Sequence, residues 1–419
     1  MERDMQKHLD QSSTTGEPCF GITRRKLATS LAVLGVFASA RAARAEEVLK
    51  LGMSVPMSGA AASWGIGCEW VGKQAAAYIN GQGGIKAGGK SYTVEIVAYD
   101  NKYSTADGAK VAQTLINRDR VKFVVQAIGT GPVKALQALS ERSGVLLFTT
   151  AWAKDIKGPA FPLTFTNTVT PTEFLGPLFQ VVKQAHPDAK TVILLNPNDI
   201  TGKDAAKASE LGWQVNGVAT TDSLFYERGT TEFQPIVTKI AQSKPDIVDL
   251  GGAPPADIGL VFKELAAQGW RGIKVASAGT GADAMVKTGG SAVEGVYMPI
   301  AADFSGPTAS PVQRRLDQEA RKRLGEPLSP PQIAVWDTMM ALKAGIEKAD
   351  SIDPRAIAKV LPELVFESSY GPTVFGGSEV YGSPQQMLVP IIVTEIKDGA
   401  VSELKRVSPA ELKKRLGKS

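Results

Sequence analysis

Between Leu49 and Asp100 the chain reads as one continuous β-α-β unit, and that constrains everything that can be built around it. An apolar run, Leu49-Lys50-Leu51-Gly52-Met53-Ser54-Val55, enters a Pro/Ser/Gly turn, Pro56-Met57-Ser58-Gly59. A helical apolar pattern follows through Trp70, Val71, Ala75, Ala77, Tyr78 and Ile79, then the Gly-rich stretch Gly81 to Gly89, then a second strand over Tyr92–Ala98. Two strands separated by a helix cannot form a hairpin, so they lie parallel, and parallel strands need helices to cover both faces of their sheet.

The same alternation continues. Helical patterns over 106–117 and 133–142 separate strands over 121–128 and 145–148, and Phe161-Pro162-Leu163-Thr164-Phe165-Thr166-Asn167 reads as an extended crossing to a second set. That set has strands near 191–195, 214–219, 246–250 and 273–276, with a helix over 232–243 stopped by Lys244-Pro245. Residues 294–299 read as a return crossing. Helices near 312–324, 332–349 and 354–361 complete the first set, and a last crossing over 376–386 leads to a strand over 388–397. The expectation is an α/β chain of two Rossmann-like lobes joined by a three-segment hinge. Lobe 1 takes residues 46–166 and 299–376, lobe 2 takes 167–298 and 377–405, and a basic surface helix takes the tail over 406–419.

Residues 1–45 have the layout of an export signal: a polar leader, Thr23-Arg24-Arg25-Lys26-Leu27, an uncharged apolar run from Leu27 to Ala40, and the A-x-A site Ala43-Arg44-Ala45. The paired Arg24 and Arg25 resemble a twin-arginine signal, although Ala28 and Thr29 replace the usual Leu and Lys. The run is shorter than the roughly 20 apolar residues that span a bilayer. Cys19 is no lipid anchor, because Gly16-Glu17-Pro18 precede it and the apolar run comes after it. Removing this segment takes seven Lys/Arg from 47 and four acids from 42, so 40 basic and 38 acidic residues leave a net charge of +2. Such a body has no basic excess for nucleic acid. Only Cys68 remains, which rules out an intrachain disulfide and reads as a small buried apolar residue. At 43% hydrophobic and 21% charged, the chain can build two cores.

Catalytic constellations are missing. Without His8 the chain has a single histidine, His186, at a helix end before Pro187, which nearly excludes a His-based triad or a multi-histidine metal site. Gly-x-Ser-x-Gly, a P-loop and CxxC are absent, and Gly81 to Gly89 lies at a helix C-terminus, where a turn is expected and an anion is not. What remains are loops at the carboxyl ends of strands, where open α/β sheets bind ligands. The loop from Ser58 to Trp64 offers a hydroxyl and an aromatic wall. Gly129-Thr130-Gly131-Pro132 opens a helix and presents amides and the Thr130 hydroxyl to an anion. Thr149-Thr150-Ala151-Trp152-Ala153 adds hydroxyls and a second Trp. Asp100-Asn101 reads as support for these loops.

The strand, the "PMSG" turn and the helix ending in Ile79-Asn80-Gly81-Gln82-Gly83-Gly84-Ile85 resemble the opening of periplasmic solute-binding proteins of the branched-chain amino acid type. That resemblance runs from residue 47 to about 400 and implies the type I periplasmic binding protein fold. It implies that Thr130 holds a ligand carboxylate and that Ala151 and Ala153 line it, with Ala153 replacing the customary Thr. In the second lobe it points to Thr201 beside Gly202, to Ala253 and Pro254 after Gly251-Gly252, and to Ala278 and Thr280 in the loop where relatives carry an acid for the α-ammonium. Here no carboxylate precedes Asp283, and an ammonium buried without a counter-charge costs several kcal/mol. The expected ligand is therefore an aromatic or aliphatic carboxylate, with an amino acid held through Asp283 as the alternative. The resemblance further implies a monomeric periplasmic protein with no cofactor, handing its ligand to the inner-membrane permease and ATPase of an importer. A ligand-sensing role is a rival, and a secreted enzyme is disfavoured by the lack of any nucleophile-base pair.

Overall fold

The computed structural model describes residues 47–417 except Ala278, and for Ser63 the backbone only. The proposed export signal, Cys19 and Ala278 therefore lie outside the described residues. Two parallel-type sheets account for the architecture. The first is built from β1 (Glu47–Val55), β2 (Ile85–Ala87), β3 (Lys90–Asp100), β4 (Phe123–Ala127), β5 (Leu146–Thr149) and β6 (Thr164–Thr166). The second is built from β7 (Thr191–Pro197), β8 (Ala219–Tyr226), β9 (Ile247–Asp249), β10 (Ile273–Val275) and β11 (Tyr297–Met298). In the first, β1 lies between β3 and β4, with β5 and β6 beyond β4; in the second, β7 lies between β8 and β9, with β10 and β11 beyond β9. Both are thus the 2-1-3-4-5 order of a doubly wound sheet, with its switch point beside the first strand.

Amphipathic helices cover the sheets. In α1 (Ala62–Gly81) the buried side chains Cys68, Val71, Ala75 and Ile79 recur at the three-to-four-residue spacing of one helix face. Next come α2 (Thr105–Gln113) and α3 (Thr130–Ser143) on the first lobe, then α4 (Pro171–Ala185), α5 (Ile200–Val215), α6 (Gln234–Ser243), α7 (Pro255–Ala267) and α8 (Ala282–Gly289) on the second. Helix and first strand meet in the same way in both lobes. A Cβ on Gly65 would lie 1.9 Å from the Pro56 carbonyl oxygen, and one on Gly202 would lie 2.0 Å from that of Pro197. Burial pushes the Cys68 thiol up to about 12, consistent with its packing role. No helix among the described residues is long and apolar enough to cross a membrane.

Several boundaries differ from expectation. The strand expected over 214–219 is the end of α5, a turn at Gly217 (φ +71) and only the first residue of β8. The helix continues because Trp213 is fully buried, stacked on Phe179 with centroids 3.9 Å apart and donating from Nε1 to Asp249 Oδ2 at 2.9 Å. The return crossing starts later than Glu294, since Tyr297 and Met298 still pair with β10 and with β16 (Ile391–Lys397).

Beyond it lie α9 (Pro311–Leu324), α10 (Pro330–Ala349), α11 (Pro354–Val360) and the short hairpin β12 (Phe366–Ser368) and β13 (Gly371–Thr373). Residues 376–386 are not the last crossing. They join β14 (Phe375–Gly376) to β15 (Gln386–Met387) through α12 (Ser378–Tyr381), and β15 pairs with β6 in the first sheet. Phe375 holds this segment there, packed edge-on against Phe165. The crossing is Leu388–Pro390, and lobe 2 resumes at β16 instead of at 377. An unforeseen strand, β17 (Ala400–Val407), pairs with β16 and covers residue 406, assigned by sequence to the tail. The tail helix α13 (Ala410–Arg415) is anchored on the first lobe, where Leu412 is buried with Val374 and Leu388 and Arg415 Nη1 donates to the Phe375 carbonyl at 2.7 Å.

Deep in α10, Asp337 is fully buried and accepts hydrogen bonds from the amide and hydroxyl of Ser369. Burial outweighs those bonds and pushes its carboxyl up to about 7, against about 3.9 in an unfolded chain. In that window the folded state holds a proton that the unfolded state releases. Its stabilising contribution is complete below pH ~4 and is lost as pH rises toward 7, by up to about 1.4 kcal/mol per pH unit. Asp337→Asn is expected to flatten this loss, measured as a smaller drop in urea midpoint between pH 5 and 7.5 than wild type shows.

Candidate ligand-binding cleft

The carboxyl ends of β1, β3 and β4 are tied together by one side chain. Asn101 Nδ2 donates to the carbonyls of Ser54 and Ile128, both at 2.9 Å, while its Oδ1 accepts from the Tyr103 amide at 2.9 Å. Neighbouring Asp100 accepts from the amides of Met57 and Lys102, each at 2.8 Å, and from the Ser58 hydroxyl at 2.6 Å. Burial works against its charge, yet these donors hold its pKa below the usual carboxylate value. Ser58 is thereby consumed: it is exposed and bound to Asp100, and it does not line the cleft.

From this frame the loops converge on a cavity between the lobes, with about 430 Å³ of empty space including its mouth. Trp64, Thr130, Thr150, Ala151 and Trp152 reach it from the first lobe, Thr201 and Thr280 from the second. Gly129 stands before α3 at φ +94, a left-handed conformation that glycine adopts without strain, and it brings Thr130 to the helix N-terminus. The Thr130 amide donates across the lobes to Thr201 Oγ1 at 3.2 Å, and its own hydroxyl oxygen is buried with no hydrogen-bond partner. An unpaired hydroxyl beside the positive end of a 14-residue helix is suited to an anion. Trp152, half-buried, meets Phe174 edge-on, and Trp64 lies 6.0 Å from Tyr103 between ring centroids. Trp64 Nε1 donates to Thr280 Oγ1 across the lobes at 2.8 Å.

Other expected site residues serve as structure. Thr149 donates to the Ala127 carbonyl at 2.8 Å and accepts from the Ala151 amide at 2.9 Å, so it braces the turn and leaves that amide already bonded where Ala151 lines the cavity. Ala153 packs among Ala151 and Ile156 in a buried cluster. Gly131 lies outside this cavity in a neighbouring inter-lobe crevice, where a Cβ would come within 2.4 Å of Thr105 Oγ1. Ala253 and Pro254 are buried at the start of α7, and Gly252 lines the cavity in their place. Asp283 is not in this cavity either. It belongs to a second one beyond Trp64 and Thr280.

Residues that sequence reasoning missed include Tyr103 and Pro331. Tyr103 sits at φ +57 after Lys102 at φ +50, and such a left-handed pair of ordinary residues has no signature in the sequence. Pro331 is held by a buried chain: Gln126 Nε2 donates to its carbonyl at 2.9 Å, and Asn167 Nδ2 donates to Gln126 Oε1 at 3.1 Å. Arg228, also missed, stands with its Cζ 4.2 Å from the Tyr103 ring centroid and its Nε 2.7 Å from Asp199 Oδ2. Among the described residues, the cavity lining carries no charged side chain. Among the described residues no group of three or more His, Cys, Asp or Glu could hold a metal. His186 caps the end of α4 with Nε2 3.1 Å from the Tyr297 hydroxyl and is not among the residues that line this cleft.

Comparisons with known proteins agree with this geometry. The Leucine-, isoleucine-, valine-, threonine-, and alanine-binding protein of Pseudomonas aeruginosa is 23% identical over 349 residues, 83% of this chain and 91% of that one. A leucine-binding protein from Thermotoga maritima superposes with a TM-score of 0.74 at 18% identity, covering 87% of this chain and all of that one. A solute-binding protein from R. palustris in complex with benzoate superposes at 0.72 with 17% identity, covering 86% and 97%. The model of the periplasmic binding protein family matches residues 48–400, nearly all of what forms the two lobes and their cleft. The chain is a member of that periplasmic binding protein family.

Proposed function

We propose that this solute-binding protein captures a small carboxylate with an aromatic or aliphatic body and passes it to the permease of an ATP-driven importer. One observation carries the reading: the buried Thr130 hydroxyl has no partner at the N-terminus of α3, in a cavity of hydroxyls and aromatic rings that lacks any carboxylate. A carboxylate there gains a charge-assisted hydrogen bond and the favourable end of the helix dipole. An α-ammonium one carbon away would be buried without a counter-charge, at a cost of several kcal/mol. Benzoate is the ligand of the R. palustris relative and amino acids are those of the P. aeruginosa protein; the charge-free lining favours the former class. Residues 1–45 would export the chain to the periplasm, where it would act as a monomer.

Capture proceeds by closure of the lobes on the ligand. Three contacts already join them across the cleft: Trp64 with Thr280, Thr130 with Thr201, and the Tyr103 ring with the Arg228 guanidinium. A ligand that touches both lobes favours the closed state in proportion to its preference for that state. No bond is made or broken, in keeping with relatives that are binding proteins.

Thermal unfolding of residues 46–419 with benzoate, hexanoate and leucine tests the ligand class. Carboxylates at about a hundred times their dissociation constant are expected to add roughly 2.7 kcal/mol of stability, with leucine adding none; stabilisation by leucine alone would contradict the reading. Thr130→Val and Trp152→Ala are each expected to weaken carboxylate binding about tenfold, the effect of roughly 1.4 kcal/mol, with little change in the unliganded melting temperature.

Trp64→Phe and Thr280→Val remove the two ends of one hydrogen bond. Each is expected to weaken binding of benzoate, which fits within the first cavity with the bond intact, about fivefold, near 1 kcal/mol, and the double variant no further than either alone. Additive losses in calorimetric titrations would show that the bond does not stabilise the closed state.

A further inference from the structure

Trp64 and Thr280 line two cavities at once. On one side of their hydrogen bond is the hydroxyl-rich cavity described above; on the other is a second compartment, also with about 430 Å³ of empty space including its mouth. The chemistry of the two is opposite. The second is lined by Asp283, Glu326 and Ser329 among Ala282, Ala302 and Leu328. Asp283 is exposed at its rim and Glu326 half-buried, and neither carboxylate has a hydrogen bond or ion pair among the described residues. Cations stand nearby without engaging them: Arg321 is bound to Asp317 at 2.8 Å, and Lys287 is close enough only to be felt by Glu326. Ser329 is 6% exposed and is the N-cap of α10; its buried hydroxyl oxygen faces the Gln332 amide in a capping box but makes no full hydrogen bond.

We infer that this second compartment takes the cationic end of an elongated ligand whose carboxylate sits at Thr130, with the Trp64–Thr280 pair as the partition that parts to admit it. The inference rests on the carboxylate reading of the first cavity. Asp283 has a structural use, since a carboxylate is at home in the first turn of a helix; Glu326, ahead of α10 on the opposite lobe, has none. Two acids from different lobes facing one compartment can close on a cation between them, and the Ser329 oxygen supplies a third acceptor. A metal ion fits poorly, because calcium takes six to eight oxygens and magnesium a near-ideal octahedron, whereas the other side-chain oxygens of the wall, Thr280 Oγ1 and Gln332 Oε1, already accept from Trp64 and the Ser329 amide, and the rest is largely alanine, leucine, proline and valine. That wall suits the methylene groups beside an ammonium or guanidinium. The ligand class is then a carboxylate with a positive group several bonds away, distinct from an α-amino acid, whose ammonium would stay in the charge-free cavity.

Calorimetric titration of residues 46–419 with butanoate, hexanoate and octanoate, and with 4-aminobutanoate, 6-aminohexanoate and 8-aminooctanoate, tests this. The best ω-amino acid is expected to bind about tenfold tighter than the plain carboxylate of its length, the effect of roughly 1.4 kcal/mol. Asp283→Asn combined with Glu326→Gln is expected to bring that ratio to about one. If the double variant does not fold, Glu326→Gln alone carries the test and is expected to lower the ratio about threefold. A ratio near one in wild type, with both series binding, overturns the second compartment and leaves the carboxylate reading standing. A ratio kept by the variants overturns it as well. Binding of neither series removes the carboxylate reading and the inference with it.

Discussion

The cleft depends on how the carboxyl ends of parallel strands are held, and in the first lobe that is the work of Asn101. Its fully buried side chain satisfies two carbonyls from adjacent strands and one loop amide. Loss of it would strand groups that each cost about 1–3 kcal/mol when buried unpaired. With those ends fixed, the loops at Gly129 and Thr150 reach the cavity between the lobes. Asp249 has the matching place in the second lobe, accepting from the Ser277 amide and the Trp213 indole at the end of β9. Burial raises its pKa while those bonds hold it down.

On the proposed reading, selectivity follows from what the cavity omits. Hydroxyls of Thr130, Thr150, Thr201 and Thr280 and the rings of Trp64, Trp152 and Tyr103 can satisfy an anionic head and an apolar body. A positive group next to that head finds no counter-charge. Leaving one charge unpaired discriminates as strongly as adding a contact, because its desolvation is not offset. Asp283 and Glu326 are close by, yet they lie beyond the indole of Trp64, so a single aromatic side chain separates two electrostatic environments.

Much of this was legible in the sequence, for identifiable reasons. The β-α-β alternation is enforced by periodicity, and seven of the expected site residues, Trp64, Thr130, Thr150, Ala151, Trp152, Thr201 and Thr280, line the cavity because they follow strand ends. The support role of Asp100-Asn101 was legible as well. Local hydrogen bonding was not: Thr149 and Ser58 look equivalent to Thr150 until their hydroxyls are seen spent on Ala127 and Asp100. Tyr103, Pro331 and Arg228 join through contacts between residues remote in sequence, which no single window records. The strand expected over 214–219 failed for a tertiary reason, the burial of Trp213 against Phe179, which prolongs the helix through Val215.

A crystal structure of residues 46–419 grown with benzoate addresses the central claim most directly. The expected result is a carboxylate within hydrogen-bond distance of the Thr130 hydroxyl at the start of α3, with the ring between Trp64 and Trp152 and both lobes in contact with the ligand. Benzoate bound away from Thr130, or held by one lobe alone, would contradict the claim that the unpaired hydroxyl and the charge-free lining define the ligand.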